Sequence, residues 1–201
     1  MSKNPELGFS KFKYNLKLGS AIDEKHYIEI EKWRTLFHKM GLIGKYPSKD
    51  LEFGSLSKRS TPLDPAFIIN GTQTGKLAHL AGKQYTKIVK CDLKKSTIQA
   101  IGPISPSVGS YLHHAVYTHS PQINFVFHIH NKKLWDFLST NKNYQQVNSN
   151  SELMTDIKAA IESKTLGIFK LENESQGMMA YGKNSDEVGK FILDILKQSR
   201  A

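Results

Sequence analysis

Cysteine is almost absent from this chain: Cys91 is the only one in 201 residues. That excludes an intramolecular disulfide and any zinc module built on cysteine pairs, and it predicts a reducing, cytoplasmic setting. No run of eighteen apolar residues occurs, so no membrane-spanning helix is expected. The opening stretch, MSKNPELGFSKFKYN, is polar and carries no apolar segment of the kind that begins a secretion signal. Histidine is missing from the last 71 residues, since all eight lie at or before His130. Acidic residues are outnumbered, 18 against 28 lysines and arginines, for a formal charge of +10. The lysines are scattered from Lys3 to Lys197, and the densest stretches, KFKYNLK and CDLKK, are short. Without any nucleic-acid-binding motif beside them, they read as a solvated basic surface, and nucleic acid is not an expected partner.

What is present suffices for a sizeable core: 39% of residues are hydrophobic, with ten Phe and eight Tyr. Residues 20–41 carry Ile22, Ile30, Trp33, Phe37 and Met40 at helical spacing, with Gly41 as a stop. FGSLSKRS and DPAFIIN read as short strands, and GTQTGKL as a loop. TKIVKCDL and STIQAIG read as two strands joined at Lys94-Lys95. The pattern then predicts a helix from Ser110 (SYLHHAVYTHS), a strand over 123–130, and a helix in KKLWDFLST. A mobile polar loop is expected over 140–151, and a helix in ELMTDIKAAIES. Strands LGIFKLENE and GMMAYGK precede a last helix with Ser185 as its N-cap. Residues 1–19 are expected to be loosely ordered. With no repeat and no linker, residues 1–201 read as one α/β domain, and the succession of hairpins favours an antiparallel or mixed sheet.

The stretch INFVFHIHN is the chemical focus. In a strand, alternate side chains share a face, so His128 and His130 stand together, about 7 Å apart along the chain. Such a pair can hold a metal ion, or it can be two hydrogen-bonded interior residues; the spacing leaves both open. A third imidazole would have to come from His26, His38, His79, His113, His114 or His119. On the helix from Ser110, Leu112, Ala115, Val116 and His119 share one face, whereas His113 and Tyr117 fall on another. GTQTGKL offers glycines, hydroxyls and a lysine to an anion, although the spacing of a Walker loop is missing.

Taken in order, FGSLSKR, FIINGTQTGKL, GPISPSVGSYLHHAVYTHSPQINFVFHIHN and GMMAYGK resemble the class II aldolase/adducin family. The third segment is the most specific. It contains a serine-bearing loop, an H-x-x-x-Y helix pattern (His113, Tyr117) and a P-x-(I/V)-x-x-V-x-H-x-H strand from Pro121 to His130. The resemblance implies a three-layer α/β/α fold around a mixed, largely antiparallel central sheet, commonly in a homotetramer. It implies a divalent metal, typically zinc, held by three histidines, and a small sugar phosphate or related carbonyl compound as ligand. The reactions of the family include aldol cleavage by lyases and sugar-phosphate epimerisation. Two metal ligands map to His128 and His130, and the third falls on Gln176. The phosphate-binding positions map to Gly54, Ser55, Thr72, Thr74, Gly75 and Ser107.

Two of these positions depart from the family pattern. The acid/base glutamate usually found four residues before the helix histidine falls on Gly109, which has no side chain. Gln176 replaces an imidazole by a carboxamide, a poorer donor for zinc, so weak metal binding is expected. Glu174 and Tyr111 are the nearby groups that could substitute as base. The sequence therefore predicts either a metal-dependent lyase or epimerase with a degenerate site, or a non-catalytic binding protein on the same scaffold, as in the adducin head region.

Overall fold

The computed structural model describes residues 12–47, 50–61, 64–148, 153–162, 164–172 and 177–200. Its centre is a nine-stranded sheet. In chain order the strands are β1 (Lys13–Leu18), β4 (Ser55–Arg59), β5 (Phe67–Asn70), β6 (Tyr85–Asp92), β7 (Thr97–Gly102), β8 (Phe125–His130), β9 (Gln146–Val147), β10 (Gly167–Leu171) and β11 (Gly177–Gly182). Between β1 and β4 a separate two-stranded hairpin is formed by β2 (Gly44–Lys45) and β3 (Glu52–Phe53). Across the sheet the order is β1-β7-β6-β5-β4-β8-β11-β10-β9. Only the two outermost pairs, β1 with β7 and β9 with β10, are parallel. The sheet is mixed and mostly antiparallel, as the succession of hairpins predicts.

Helices α1 (Glu24–Lys39), α3 (Lys132–Thr140) and α5 (Ser185–Gln198) pack on one face; α2 (Ser110–His119) and α4 (Leu153–Ile161) pack on the other. Strand β8 supplies both cores because its side chains alternate. Phe125, Phe127 and Ile129 enter the α1 side, and Val126 enters the α2 side. Helix α1 contributes Tyr27, Ile30, Trp33 and Phe37, at the three- and four-residue spacing of a single stripe. Phe37 is fully buried and meets Phe127 edge-on, with centroids 6.0 Å apart. Its truncation to alanine would cost about 3–5 kcal/mol. Gly189 lies inside α5, where glycine costs about 1 kcal/mol relative to alanine. The reason is contact: any side chain there would overlap the Trp33 ring, and Trp33 Nε1 donates to Asp186 at 2.9 Å.

Three expectations need correction. Lys13–Leu18 is not loose: it forms β1, paired in parallel with β7, while residues 1–11 lie outside the described part. The polar stretch over 140–151 is not wholly a loop, because Gln146 and Val147 pair with Lys170 and Leu171, and Val147 is completely buried. The N-cap of α5 is Asn184, not Ser185: the Asn184 carboxamide oxygen accepts from the amides of Asp186 and Glu187.

Candidate metal and ligand site

The site is assembled at one end of the sheet from β4, β8, the start of α2 and the hairpin β2–β3. Strand β8 is an inner strand. Ser55 of β4 pairs with His128 on one side, and Met179 of β11 pairs with it on the other. His128 and His130 share the α2 face, both buried at 6% and 8% exposure. Their Nε2 atoms are 3.1 Å apart. The second ring nitrogen of His130, Nδ1, lies 2.8 Å from the Tyr46 hydroxyl.

This arrangement fits a divalent ion on the two Nε2 atoms. Zinc–imidazole bonds of about 2.0–2.1 Å, at angles between octahedral and tetrahedral, place neighbouring nitrogens roughly 2.9–3.4 Å apart. The observed separation falls within that span. Neutral imidazole nitrogens are also suitable donors for such an ion. Gln176 and Glu174 lie outside the described residues. Among the described residues no group of three or more His, Cys, Asp or Glu side chains converges on one point.

Both ring nitrogens of His113 are engaged by serines of β4. The residue is fully buried above β4, with Nε2 3.0 Å from Ser55 Oγ and Nδ1 2.7 Å from Ser57 Oγ. Ser57 Oγ also meets the Tyr117 hydroxyl at 2.8 Å. Burial, and secondarily the charge of His128, holds the His113 imidazole well below the ordinary histidine range. A neutral imidazole between two hydroxyls then serves as donor at one nitrogen and acceptor at the other. The H-x-x-x-Y pattern thus ties α2 to β4 through one polar network. The ring of Tyr111 is in the core, 3% exposed and stacked on Phe12 at 4.6 Å.

Gly109 faces the pair. A Cβ built there would lie 3.5 Å from His128 Nδ1, 3.8 Å from Ser55 Oγ and 3.9 Å from Ser107 Oγ. These are ordinary contact distances, and φ is −77°, so nothing in the backbone demands glycine. Position 109 is the N-cap of α2, and its side chain would point into the site.

The glycine-threonine loop and the serine loop are joined. Thr72 N donates to Ser105 O at 2.9 Å, and Ser107 N to Asn70 O at 3.2 Å. Several residues expected to hold an anion also have structural duties. Thr74 is buried; its hydroxyl donates to Gly71 O at 2.7 Å and accepts from Asn70 Nδ2 at 3.0 Å. Gly75 has no room for a side chain, because a Cβ would run into the carbonyl oxygen of Gly44. Gly54 adopts φ +89° and packs against Ile43. Lys76 donates from its backbone amide and its ammonium to the Glu52 carboxylate, each at 3.2 Å.

The sequence of residues 44–189 matches the model of the Class II Aldolase and Adducin N-terminal domain. The chain belongs to the class II aldolase/adducin family. No curated protein matches the sequence. Solved structures share the class II aldolase fold at low identity. YgbL from Klebsiella pneumoniae is 16% identical, with 88% of this chain and 87% of that one covered and a TM-score of 0.65. L-fuculose-1-phosphate aldolase from Thermus thermophilus is 15% identical over 89% and 92%, with a TM-score of 0.60. A sugar-phosphate aldolase from Thermotoga maritima is 12% identical over 88% and 93%, with a TM-score of 0.64. Within this class II aldolase domain, sequence reasoning missed Tyr46, whose contact with His130 arises only when the hairpin folds over β8. No described helix is long and apolar enough to cross a membrane.

Proposed function

We propose that this class II aldolase-family protein binds a divalent metal, zinc by donor chemistry, on His128 and His130, and takes a small sugar phosphate or related hydroxycarbonyl compound beside it. The observation that carries this reading is the 3.1 Å approach of the two Nε2 atoms, with the far side of His130 held by Tyr46. When bound, the metal supplies Lewis-acid stabilisation of negative charge developing on a carbonyl oxygen. The protein's part is to fix two lone pairs in one place and to present Ser55, Ser107 and the joined loops to the ligand. Gln176 is the proposed third donor, and Thr72, with the rim of the 71–75 loop, the proposed contact for the anionic end. The fold and the sugar-phosphate aldolases that share it support a carbon–carbon lyase or an epimerase; a homotetramer is the proposed assembly.

Gly109 supports a second reading. Aldol cleavage needs a group that takes the substrate's hydroxyl proton, and position 109 offers none. A protein that binds the same ligand without turning it over fits that absence.

The two readings separate in one experiment. Zinc is titrated into the wild-type protein, His128→Ala and His130→Ala, and the loaded wild type is then incubated with L-fuculose 1-phosphate. Zinc binding that both substitutions abolish supports the site. Release of an aldehyde then selects the lyase, and saturable binding without products selects the binding protein. Zinc affinity unaffected by either substitution overturns the proposal.

A further inference from the structure

The hairpin β2–β3 reaches over the open end of β8. Tyr46 follows directly on β2, and its backbone N–H closes the hairpin on Leu51 O at 2.9 Å. Phe53 of β3 packs on both rings that matter, with centroids 4.6 Å from Tyr46 and 5.2 Å from His130. Gly44, opposite Phe53, leaves room for that ring: a Cβ at Gly44 would lie 3.2 Å from its Cζ. From below, Gly75 packs on the Gly44 carbonyl, and His130 N donates to Leu42 O at 2.9 Å just before the hairpin begins. The Tyr46 hydroxyl is therefore held from several sides at 2.8 Å from His130 Nδ1.

From this geometry we infer that Tyr46 is the positioning residue that fixes the orientation of His130 and partners its Nδ1 in either tautomer. The inference rests on the metal reading above and deepens it. Two Nε2 atoms 3.1 Å apart without an ion between them share a hydrogen bond, so one carries a proton. When a metal occupies the pair, both Nε2 atoms must present lone pairs, and the His130 proton sits on Nδ1. A phenol both donates and accepts. Its O–H serves Nδ1 when His130 is protonated on Nε2, and its oxygen accepts from Nδ1–H when Nε2 is needed for metal. Tyr46 thus satisfies either state without moving the ring. Phenylalanine keeps the packing on Phe53 and removes both roles.

The test is Tyr46→Phe, with Phe53→Leu as a packing control and His130→Ala as the reference for the pair. Zinc affinity is measured by competition with a chelator, and the His130 ring nitrogens are followed by ¹⁵N NMR in the metal-free protein. Tyr46→Phe is expected to weaken zinc by about ten- to a hundredfold, the usual effect of removing a partner of a liganding histidine. It is also expected to change the Nδ1 resonance of His130 while leaving the thermal midpoint close to wild type. Phe53→Leu is expected to leave that resonance hydrogen-bonded. An unchanged Nδ1 resonance in Tyr46→Phe overturns the inference whether or not zinc binds. Zinc affinity within twofold of wild type in Tyr46→Phe, when His130→Ala abolishes binding, also overturns it and leaves the metal site standing. Zinc binding unaffected by His130→Ala removes the metal site itself, and the NMR result alone then decides the role of Tyr46.

Discussion

Gly109→Glu tests the shape of the site at its most divergent position. The backbone there is unstrained for any residue, at φ −77°. A Cβ meets its three nearest neighbours at 3.5, 3.8 and 3.9 Å, so no atom has to shift. Replacing glycine by a residue the local backbone accepts stabilises by about 0.4–1 kcal/mol through the unfolded chain. A carboxylate at a helix N-terminus adds about 0.3–1 kcal/mol. Some of this is offset by desolvating the charge beside buried serines, so the net change is expected within about 1 kcal/mol of zero. In a chain of this length that is a shift of roughly 2–4 °C in Tm, in either direction. Gly75→Ala provides the contrast, because its methyl would overlap the Gly44 carbonyl oxygen. It is expected to cost more than about 2 kcal/mol, in the range of overpacked sites. Thermal melts followed by circular dichroism give both values, and zinc competition shows whether the new carboxylate tightens the metal. A Gly109→Glu protein that melts as badly as Gly75→Ala would refute the assignment of position 109 to an open face of the site. Equal zinc affinity in Gly109→Glu and wild type would show that the new carboxylate does not reach the metal.

Gln176→His is expected to raise zinc affinity, measured by the same competition; no change would mean that residue 176 does not face the pair. Asn184→Ala removes the cap of α5 and is expected to cost about 1 kcal/mol, read from a denaturant melt at constant slope. Stability is expected to fall as pH drops below about 6.5, the ordinary histidine value, because the unfolded chain then takes up protons that buried His113 refuses. His113→Leu should flatten that part of the pH profile while leaving Ser55 and Ser57 poorly paired, at a cost of roughly 1–3 kcal/mol at neutral pH.

Much of the fold was legible because its signals are local. The stripe of α1 and the alternation through β8 declare themselves in hydrophobic period. So did the pair itself, since two-residue spacing in a strand already places His128 beside His130. Strand β1 carries a fainter version of the same signal: Tyr14 and Leu16 alternate with Lys13, Asn15 and Lys17, but the lysines mask the period. Strand β9 has no such signal, as Gln146 and Val147 become a strand only by meeting β10. The cap of α5 shows the limit of boundary reading, since Asn184 and Ser185 are both good cap residues and only the backbone decides. Tyr46 stands 84 residues from His130 in the chain, in a stretch of turn-forming residues, and no sequence pattern links them. The double duty of Thr74 was hidden for a different reason: its partners, Gly71 and Asn70, are near in sequence, but the turn that brings them to its hydroxyl leaves no distinctive residue pattern.

His128 and His130 are proposed to form a metal site. Crystals grown with zinc, with an anomalous difference map collected above the zinc edge, address it most directly. One strong peak is expected at about 2.0–2.1 Å from both Nε2 atoms, with Tyr46 still on His130 Nδ1. Crystals holding zinc elsewhere, with the two imidazoles still hydrogen-bonded to each other, would contradict it.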